Sequence, residues 1–292
     1  MDTKQYRYDG QNFDISKAPT FVKDSSADLK AIKEQIRKNV KKIRDAQKMM
    51  YAQHKYGVLV VFQAMDAAGK DSMITHIFSG VNPAGFEVAN FKQPTSNDLR
   101  HDYLWRIHNS MPLKGDIGVF NRSYYEDVLI SRVHPEIVLS ANLPGIDGVG
   151  DVDEGFFQSR YEDIRNFESY VSRNGYLVLK FFLHVSKEEQ KQRFLSRIDT
   201  PEKNWKFSSA DIKERQYWDK YQDAYEKAIN ATATKENPWY VIPADDKWYS
   251  RLIVSNILTK QIAKMPLEYP TLDPQEQKQL ATAREMLENE DK

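Results

Sequence analysis

The stretch Val58-Leu-Val-Val-Phe-Gln-Ala-Met-Asp-Ala-Ala-Gly-Lys-Asp-Ser72 decides how this chain folds. Val58–Phe62 is short, continuous and rich in β-branched residues, the pattern of a strand buried on both faces. A turn follows, and a helix is expected to open near Gly69. At such a junction, successive backbone N–H groups and the positive end of the helix cradle phosphate groups. Ala67, Ala68, Gly69, Lys70, Asp71 and Ser72 would form the cradle, with the Lys70 ammonium reaching the outer phosphoryl oxygens. The plain alternative is an ordinary strand–helix turn that exposes a lysine.

The loop departs from the common G-x-x-x-x-G-K-[ST] pattern at two places. Ala64 stands at the first glycine, and Asp71 stands where a magnesium-binding Ser or Thr would be. Asp66 lies inside the loop as well. Two carboxylates beside a phosphate cradle would repel the substrate unless a cation sits between them. Asp66 is therefore the expected Mg²⁺ ligand, with Mn²⁺ as an alternative ion. Asp71 has a second reading, stabilisation of the first helical turn against the macrodipole.

Three further groups follow the strands. After Ile117–Phe120 comes Asn121-Arg-Ser-Tyr-Tyr-Glu-Asp127. In an open α/β sheet, ligands bind beyond the carboxyl ends of the strands. Arg122 would offer a planar fork to phosphate, and Glu126 or Asp127 could support a metal ion. A structural Arg–Glu pair on a helix is the alternative. Lys92, after the Phe86–Phe91 strand, either grips a second anion or is a surface lysine before a proline turn. Arg193 and Arg197, one helical turn apart, either close over phosphates or belong to a solvated helix pair with Lys203, Lys206 and Arg215.

Outward from these motifs, strands at Tyr176–Val185 and Trp239–Ile242 alternate with amphipathic helices. A helix striped by Phe157, Tyr161, Ile164, Phe167 and Val171 ends at Gly175, and Ser186 with Glu189 caps another. Thr95 to Asp98 resembles a capping box opening the helix that holds Leu104 and Ile107. This alternation implies an α/β fold, a parallel sheet covered by helices on both faces. The first 25 residues read as an extended arm and 26–54 as a long helix. Its basic run (Lys33, Arg37, Lys38, Lys41, Lys42, Arg44) reads as a solvated face. A lid is placed at about 190–215 and a peripheral tail at 270–292, all within one domain spanning 1–292.

The 42 basic and 42 acidic side chains cancel, so no global field gathers nucleic acid or anionic membrane. Affinity for an anion must come from local placement of charge. The chain has no cysteine, which excludes disulfides, cysteine nucleophiles and thiolate zinc sites. The start lacks the apolar core of a signal peptide, and Val58–Phe62 is far short of the ~20 residues that cross a bilayer. A cytoplasmic protein is expected. The six histidines show no metal-ligand spacing.

Together, Gln63–Asp71, Ser79-Gly-Val-Asn-Pro-Ala-Gly85, Phe91-Lys-Gln-Pro-Thr95, Phe120-Asn-Arg-Ser123 and Trp239-Tyr-Val-Ile-Pro-Ala244 closely resemble the polyphosphate kinase 2 family, in order along most of the chain. The resemblance implies a P-loop kinase fold like that of thymidylate kinase, with a helical lid. It also implies Mg²⁺-dependent transfer of phosphoryl groups from inorganic polyphosphate to nucleotides, and a homo-oligomer, dimer or tetramer. Carried over by motif, Asp66 and Lys70 fall on the family's Walker A loop and Asn121 and Arg122 on its Walker B segment. Arg193 and Arg197 fall near its lid. Many members carry Asp where this chain has Asn121. Asn121 with Glu126-Asp127 resembles class III, which phosphorylates both AMP and ADP. Adenine nucleotides are the expected acceptors, with guanine nucleotides as an alternative. An ATP-dependent kinase and a non-catalytic anion-binding scaffold are the rival readings.

Overall fold

A strand buried along its whole length, β2 (Gly57–Ala64), forms the centre of the molecule. The computed structural model describes residues 1–10, 12–22 and 28–290. Around β2 lie β1 (Arg7–Tyr8), β3 (Phe86–Asn90), β4 (Ile117–Asn121), β5 (Tyr176–His184) and β6 (Trp239–Pro243), in the order β1-β6-β5-β2-β4-β3. The strands β2 to β6 run parallel, and β1 pairs antiparallel with β6. All five expected strands are present within a residue or two of their expected ends. The sheet is mixed rather than purely parallel, because the arm contributes an edge strand that its polar sequence conceals.

Helices cover both faces. On one side are α1 (Leu29–Gln53), α2 (Lys70–Ile77) and α10 (Lys247–Ile262), and on the other α4 (Glu126–Val133), α6 (Glu154–Arg173) and α9 (Trp218–Thr232). Shorter helices complete the chain: α3 (Trp105–Asn109), α5 (Glu136–Leu139), α7 (Lys187–Asp199), α8 (Ser209–Glu214) and α11 (Pro274–Glu288). Helix α1 begins after Asp28, whose side chain accepts the Lys30 N–H; the expected start at Ser26 lies outside the described residues. It buries Ile32, Ile36, Ile43 and Met50, while Arg37, Lys38, Lys41 and Lys42 stay in solvent. This is the solvated face the sequence suggested.

The arm packs on the domain: Tyr6, Phe13 and Ala18 are buried in the main core, since its aromatic side chains gain more from burial than from exposure. One expectation is corrected. The Thr95–Asp98 box forms, with Thr95 N and Oγ1 each 2.8 Å from Asp98 Oδ2. It opens only the 3₁₀ turn Asp98–Arg100, however, and α3 starts later, at Trp105.

One buried ion pair ties the layers together. Lys180 on β5 meets Glu168 on α6 at 2.7 Å, both fully buried. Glu168 also accepts the hydroxyls of Tyr124 and Tyr125 at 2.9 and 2.8 Å, and Lys180 donates to the Thr232 carbonyl at 3.0 Å. Removing one partner of such a pair leaves a bare buried charge, worth about 3–5 kcal/mol. The network fixes the entry to α4, directly after Arg122, against β5 and α9.

Candidate active site

The carboxyl ends of β2, β4 and β5 are level: Phe62 stands opposite Asn121 and Phe181, and Ala64 opposite Leu183. Chains leave β2 and β5 toward opposite sides of the sheet, which opens a crevice at that rim. The loop 65–69 lies there. Gly69 takes φ 106°, a conformation open to glycine, and closes the first helical hydrogen bond by accepting the Met73 N–H at 2.9 Å. The N–H groups of Lys70, Asp71 and Ser72 therefore have no intrahelical acceptor. Ala67 (φ 59°) and Arg122 (φ 63°) are also left-handed although they are not glycine. Such strain persists where surroundings over-determine it, and it concentrates at functional sites.

Those surroundings are visible on the underside of the loop. Gln190 donates to the Asp66 carbonyl at 2.9 Å, and Arg193 Nη1 to the carbonyls of Ala67 and Ala68 at 3.1 and 2.7 Å. Arg193 Nη2 holds Ala244 and Asp245 at 2.6 and 3.1 Å, and Nε holds Glu189 at 2.7 Å. In a planar trans peptide the N–H points opposite to the carbonyl. Of the N–H groups that follow the three captured carbonyls, that of Ala68 closes a turn onto the Met65 carbonyl at 3.3 Å, which leaves those of Ala67 and Gly69 opposite the brace. This corrects the lid reading of Arg193. With all five donors engaged and 8% exposure, it braces the loop rather than closing over a ligand. Arg197, one turn on, does line the cleft.

The cleft has a volume of about 880 Å³ and is walled by the whole loop from Asp66 to Ser72, by Asn90 to Gln93, by Asn121 and Arg122, and by Arg197, Trp205 and Lys206. Five of these residues are cations (Lys70, Lys92, Arg122, Arg197, Lys206) and two are carboxylates (Asp66, Asp71), so the wall is net positive in a chain of zero net charge. Lys70 folds its ammonium onto the Ala64 carbonyl at 2.9 Å. Its pKa is lowered, first by burial and then by the Arg122 charge. Arg122 pairs with Asp66 at 2.7 Å. Burial opposes its charge, but Glu126 and Asp66 outweigh that and hold the guanidinium protonated.

Asn121 Nδ2 donates to Asp71 Oδ1 and to Asn90 Oδ1, both at 2.8 Å. Two acceptors converge on one group, and the two N–H donors of the Asn121 amide serve both; an aspartate here has no donor and would meet Asp71 as a like charge. Asp71 accordingly sits in the first turn of α2 with one oxygen engaged.

The two acids at the start of α4 diverge, because adjacent helical positions point about 100° apart. Glu126 faces a smaller cavity of about 180 Å³ behind the Arg122–Asp66 pair, beside Asp211, Glu214 and Tyr225, and burial raises its pKa. Asp127 is away from the cleft. It borders a separate small pocket with Tyr103, Arg106 and Arg160, and burial pushes its carboxyl up to about 6 against the pull of both arginines.

Among the described residues no group of three His, Asp or Glu forms a ready metal cage. Mg²⁺ does not require one, since one or two carboxylates plus substrate phosphates and water satisfy it. Asp66 fits that requirement: it lines the cleft, and only Oδ1 is engaged. Sequence reasoning missed Gln190, Trp205 and Arg251. Gln190 lies three residues before Arg193 on the same helix face, a signal that was available. Trp205, an aromatic within the polar run Pro201–Lys206, was another, and the structure leaves it 77% exposed.

A glycine-pivoted loop presenting N–H groups and a lysine to a basic cleft at the rim of a parallel sheet is the arrangement of phosphate-handling α/β proteins. The sequence profile of the family described as Polyphosphate kinase 2 (PPK2) matches residues 26–270. An ADP-polyphosphate phosphotransferase of Rhodopseudomonas palustris is 48% identical over 98% of this chain and 99% of its own length. An AMP/ADP-polyphosphate phosphotransferase of Meiothermus ruber is 44% identical over 90% and 92%. The crystal structure of Polyphosphate Kinase 2 from Arthrobacter aurescens TC1 superposes with a TM-score of 0.85 at 33% identity, covering 96% of each chain. The chain belongs to the polyphosphate kinase 2 family. No described helix is long and apolar enough to cross a membrane.

Proposed function

We propose that this protein transfers phosphoryl groups from inorganic polyphosphate to AMP and to ADP, forming ADP and ATP, reversibly and in the cytoplasm, as a homo-oligomer. The observation that carries this reading is the cleft itself, where five cations and the braced N–H groups face a space large enough for two phosphate-bearing substrates. The Meiothermus ruber relative, named for both acceptors, supports the pair AMP and ADP.

An acceptor phosphate oxygen is already ionised at neutral pH, so the protein has little proton chemistry to supply. Its residues position two polyanions and neutralise charge. The N–H groups of the loop hold the transferred phosphoryl, while Lys70 leaves the Ala64 carbonyl to reach its oxygens. Arg122 and Arg197 offset charge on the donor and acceptor chains. Asp66 would hold Mg²⁺, which when bound supplies further charge neutralisation across the phosphates. Trp205 offers an exposed aromatic face to a nucleobase at the cleft wall.

Incubation of the pure protein with AMP, Mg²⁺ and polyphosphate, without any nucleoside triphosphate, should yield ADP and then ATP. Lys70→Ala should lower that rate at least ~100-fold, the usual loss for a transition-state donor. Turnover of ADP alone would reject AMP as acceptor. Product formed only when ATP is supplied would reject polyphosphate as donor.

A further inference from the structure

The brace on the phosphate loop is itself held by a segment outside the part of the chain that the family profile matches. Arg193 Nη2 donates to the Ala244 carbonyl at 2.6 Å and to the Asp245 carbonyl at 3.1 Å. The Ala244 carbonyl and the Asp245 N–H belong to one peptide unit, in which they point in opposite directions. That N–H donates to the Thr20 carbonyl at 2.9 Å. One peptide is thus gripped at both ends, by Arg193 on the side of the loop and by the N-terminal arm on the other. The profile begins at residue 26, after the arm.

The same corner of the chain, between β6 and α10, holds more of the site. Asp245 Oδ1 accepts the N–H of Ser186, the N-cap of the helix α7 that carries Gln190 and Arg193, at 2.8 Å. Helix α10 starts two residues later and carries Arg251, whose Nη2 donates to Ser72 Oγ on α2 at 2.7 Å. The corner therefore reaches the phosphate loop on both sides of Gly69, through Arg193 before it and through Arg251 after it.

The arm can hold this corner because it is fixed along its own length. Asn230 on α9 serves both polar groups of Phe13: its Oδ1 accepts the N–H and its Nδ2 donates to the carbonyl, each at 2.8 Å. Glu226, one turn earlier, accepts the Ile15 N–H at 2.8 Å. The Phe13 ring is buried and meets Tyr8 edge-on, with centroids 4.7 Å apart. Tyr8 in turn pairs with Trp239 of β6. A contact made by a segment already ordered this way costs little further entropy.

We propose that the N-terminal arm is a positioning element of the active site. Through the Ala244–Asp245 peptide it aims the acceptors that Arg193 needs in order to brace the phosphate loop. None of the arm's described residues lines the cleft, so its effect falls on the rate of phosphoryl transfer rather than on nucleotide binding. The proposal rests on the reaction proposed above only for the activity that reports it.

Amide hydrogen exchange reads the contact directly. In the parent, the Asp245 N–H lies outside any strand or helix, yet it should exchange as slowly as the amides of β6. Exchange at the rate of an exposed amide would overturn the proposal. Asn230→Ala and Phe13→Ala should each speed that exchange and lower kcat about tenfold, the scale of a small misplacement of reacting groups. KM for ADP should stay within about twofold. Because the effect passes through Arg193, adding Asn230→Ala to Arg193→Lys should lower kcat no more than about twofold further. Losses that multiply, a rise in KM as large as the fall in kcat, or an unchanged kcat in both single variants would each overturn it. Asn230→Ala leaves the apolar packing of the arm in place, so the test holds even if Phe13→Ala does not fold. Exchange needs no donor, so a failure of the proposed reaction and a failure of the arm contact are told apart.

Discussion

Asp66 answers to two partners, and its replacement separates them. Its pair with Arg122 is partly solvated, with side-chain exposures of 28% and 40%. Such a pair contributes about 0–1 kcal/mol. Asp66→Asn should therefore melt within about 2 °C of the parent while its activity falls on the order of 100-fold, with partial recovery at high Mg²⁺. Parent-like activity at low Mg²⁺ would remove Asp66 from the metal. Asp127 carries a pH signature instead. Its carboxyl titrates at about 6 in the fold against 3.8 unfolded. The native state thus keeps a proton that the unfolded chain has lost, and stability from this group falls as pH rises from about 4 through 6. Urea unfolding of Asp127→Asn should lack that fall and show a gain of about 1–3 kcal/mol over the parent at pH 8. Identical pH profiles would refute the burial argument. At this scale the sequence was partly legible. Lys70, Asp66 and Arg122 could be placed because motif and strand order put them on one rim. Asp127 could not, because its direction depends on where α4 starts, and a one-residue shift rotates it out of the cleft.

The loop's shape is imposed by an element that is distant in sequence. Helix α7 supplies Gln190 and Arg193, three residues apart and hence on one face, and together they hold the carbonyls of Asp66, Ala67 and Ala68. Arg193→Lys keeps the charge but cannot span five acceptors in two directions. Unpaired buried carbonyls cost about 1–3 kcal/mol, so the variant should lose roughly 2–4 kcal/mol of stability. Because the N–H groups would no longer be held toward the cleft, kcat should drop on the order of 100-fold at a temperature where the variant is folded. KM for the nucleotide should change less than about threefold, which a general loss of structure would not produce. An unchanged kcat would reduce Arg193 to a packing residue. Strands and helices were largely readable from pattern, since β2, β4, β5 and β6 are mainly apolar runs and α6 shows its stripe. The edge strand β1 and the brace were not. Two residues carry too little pattern to declare a strand, and an arginine that bonds carbonyls has the same sequence appearance as one that greets a substrate.

At the scale of the molecule, the tail divides folding from assembly. Helix α11 forms through its own capping box, Asp273 with Glu276, and buries none of its residues. Leu280, Met286 and Leu287 stand 59, 68 and 66% exposed. The family profile ends at residue 270, before this helix begins. A helix that covers no apolar surface contributes little to the stability of the chain it belongs to, since burial is the main stabilising term. Ending the chain at Pro270 should therefore leave the melting temperature of a single copy within about 2 °C and kcat per site unchanged. The exposed apolar side chains gain only if something covers them. If that cover is a second copy of the chain, the truncated protein should sediment at a smaller mass, and its melting temperature should lose the concentration dependence that assembly confers. A melting temperature lower at every concentration, with the mass unchanged, would show instead that α11 packs on its own domain.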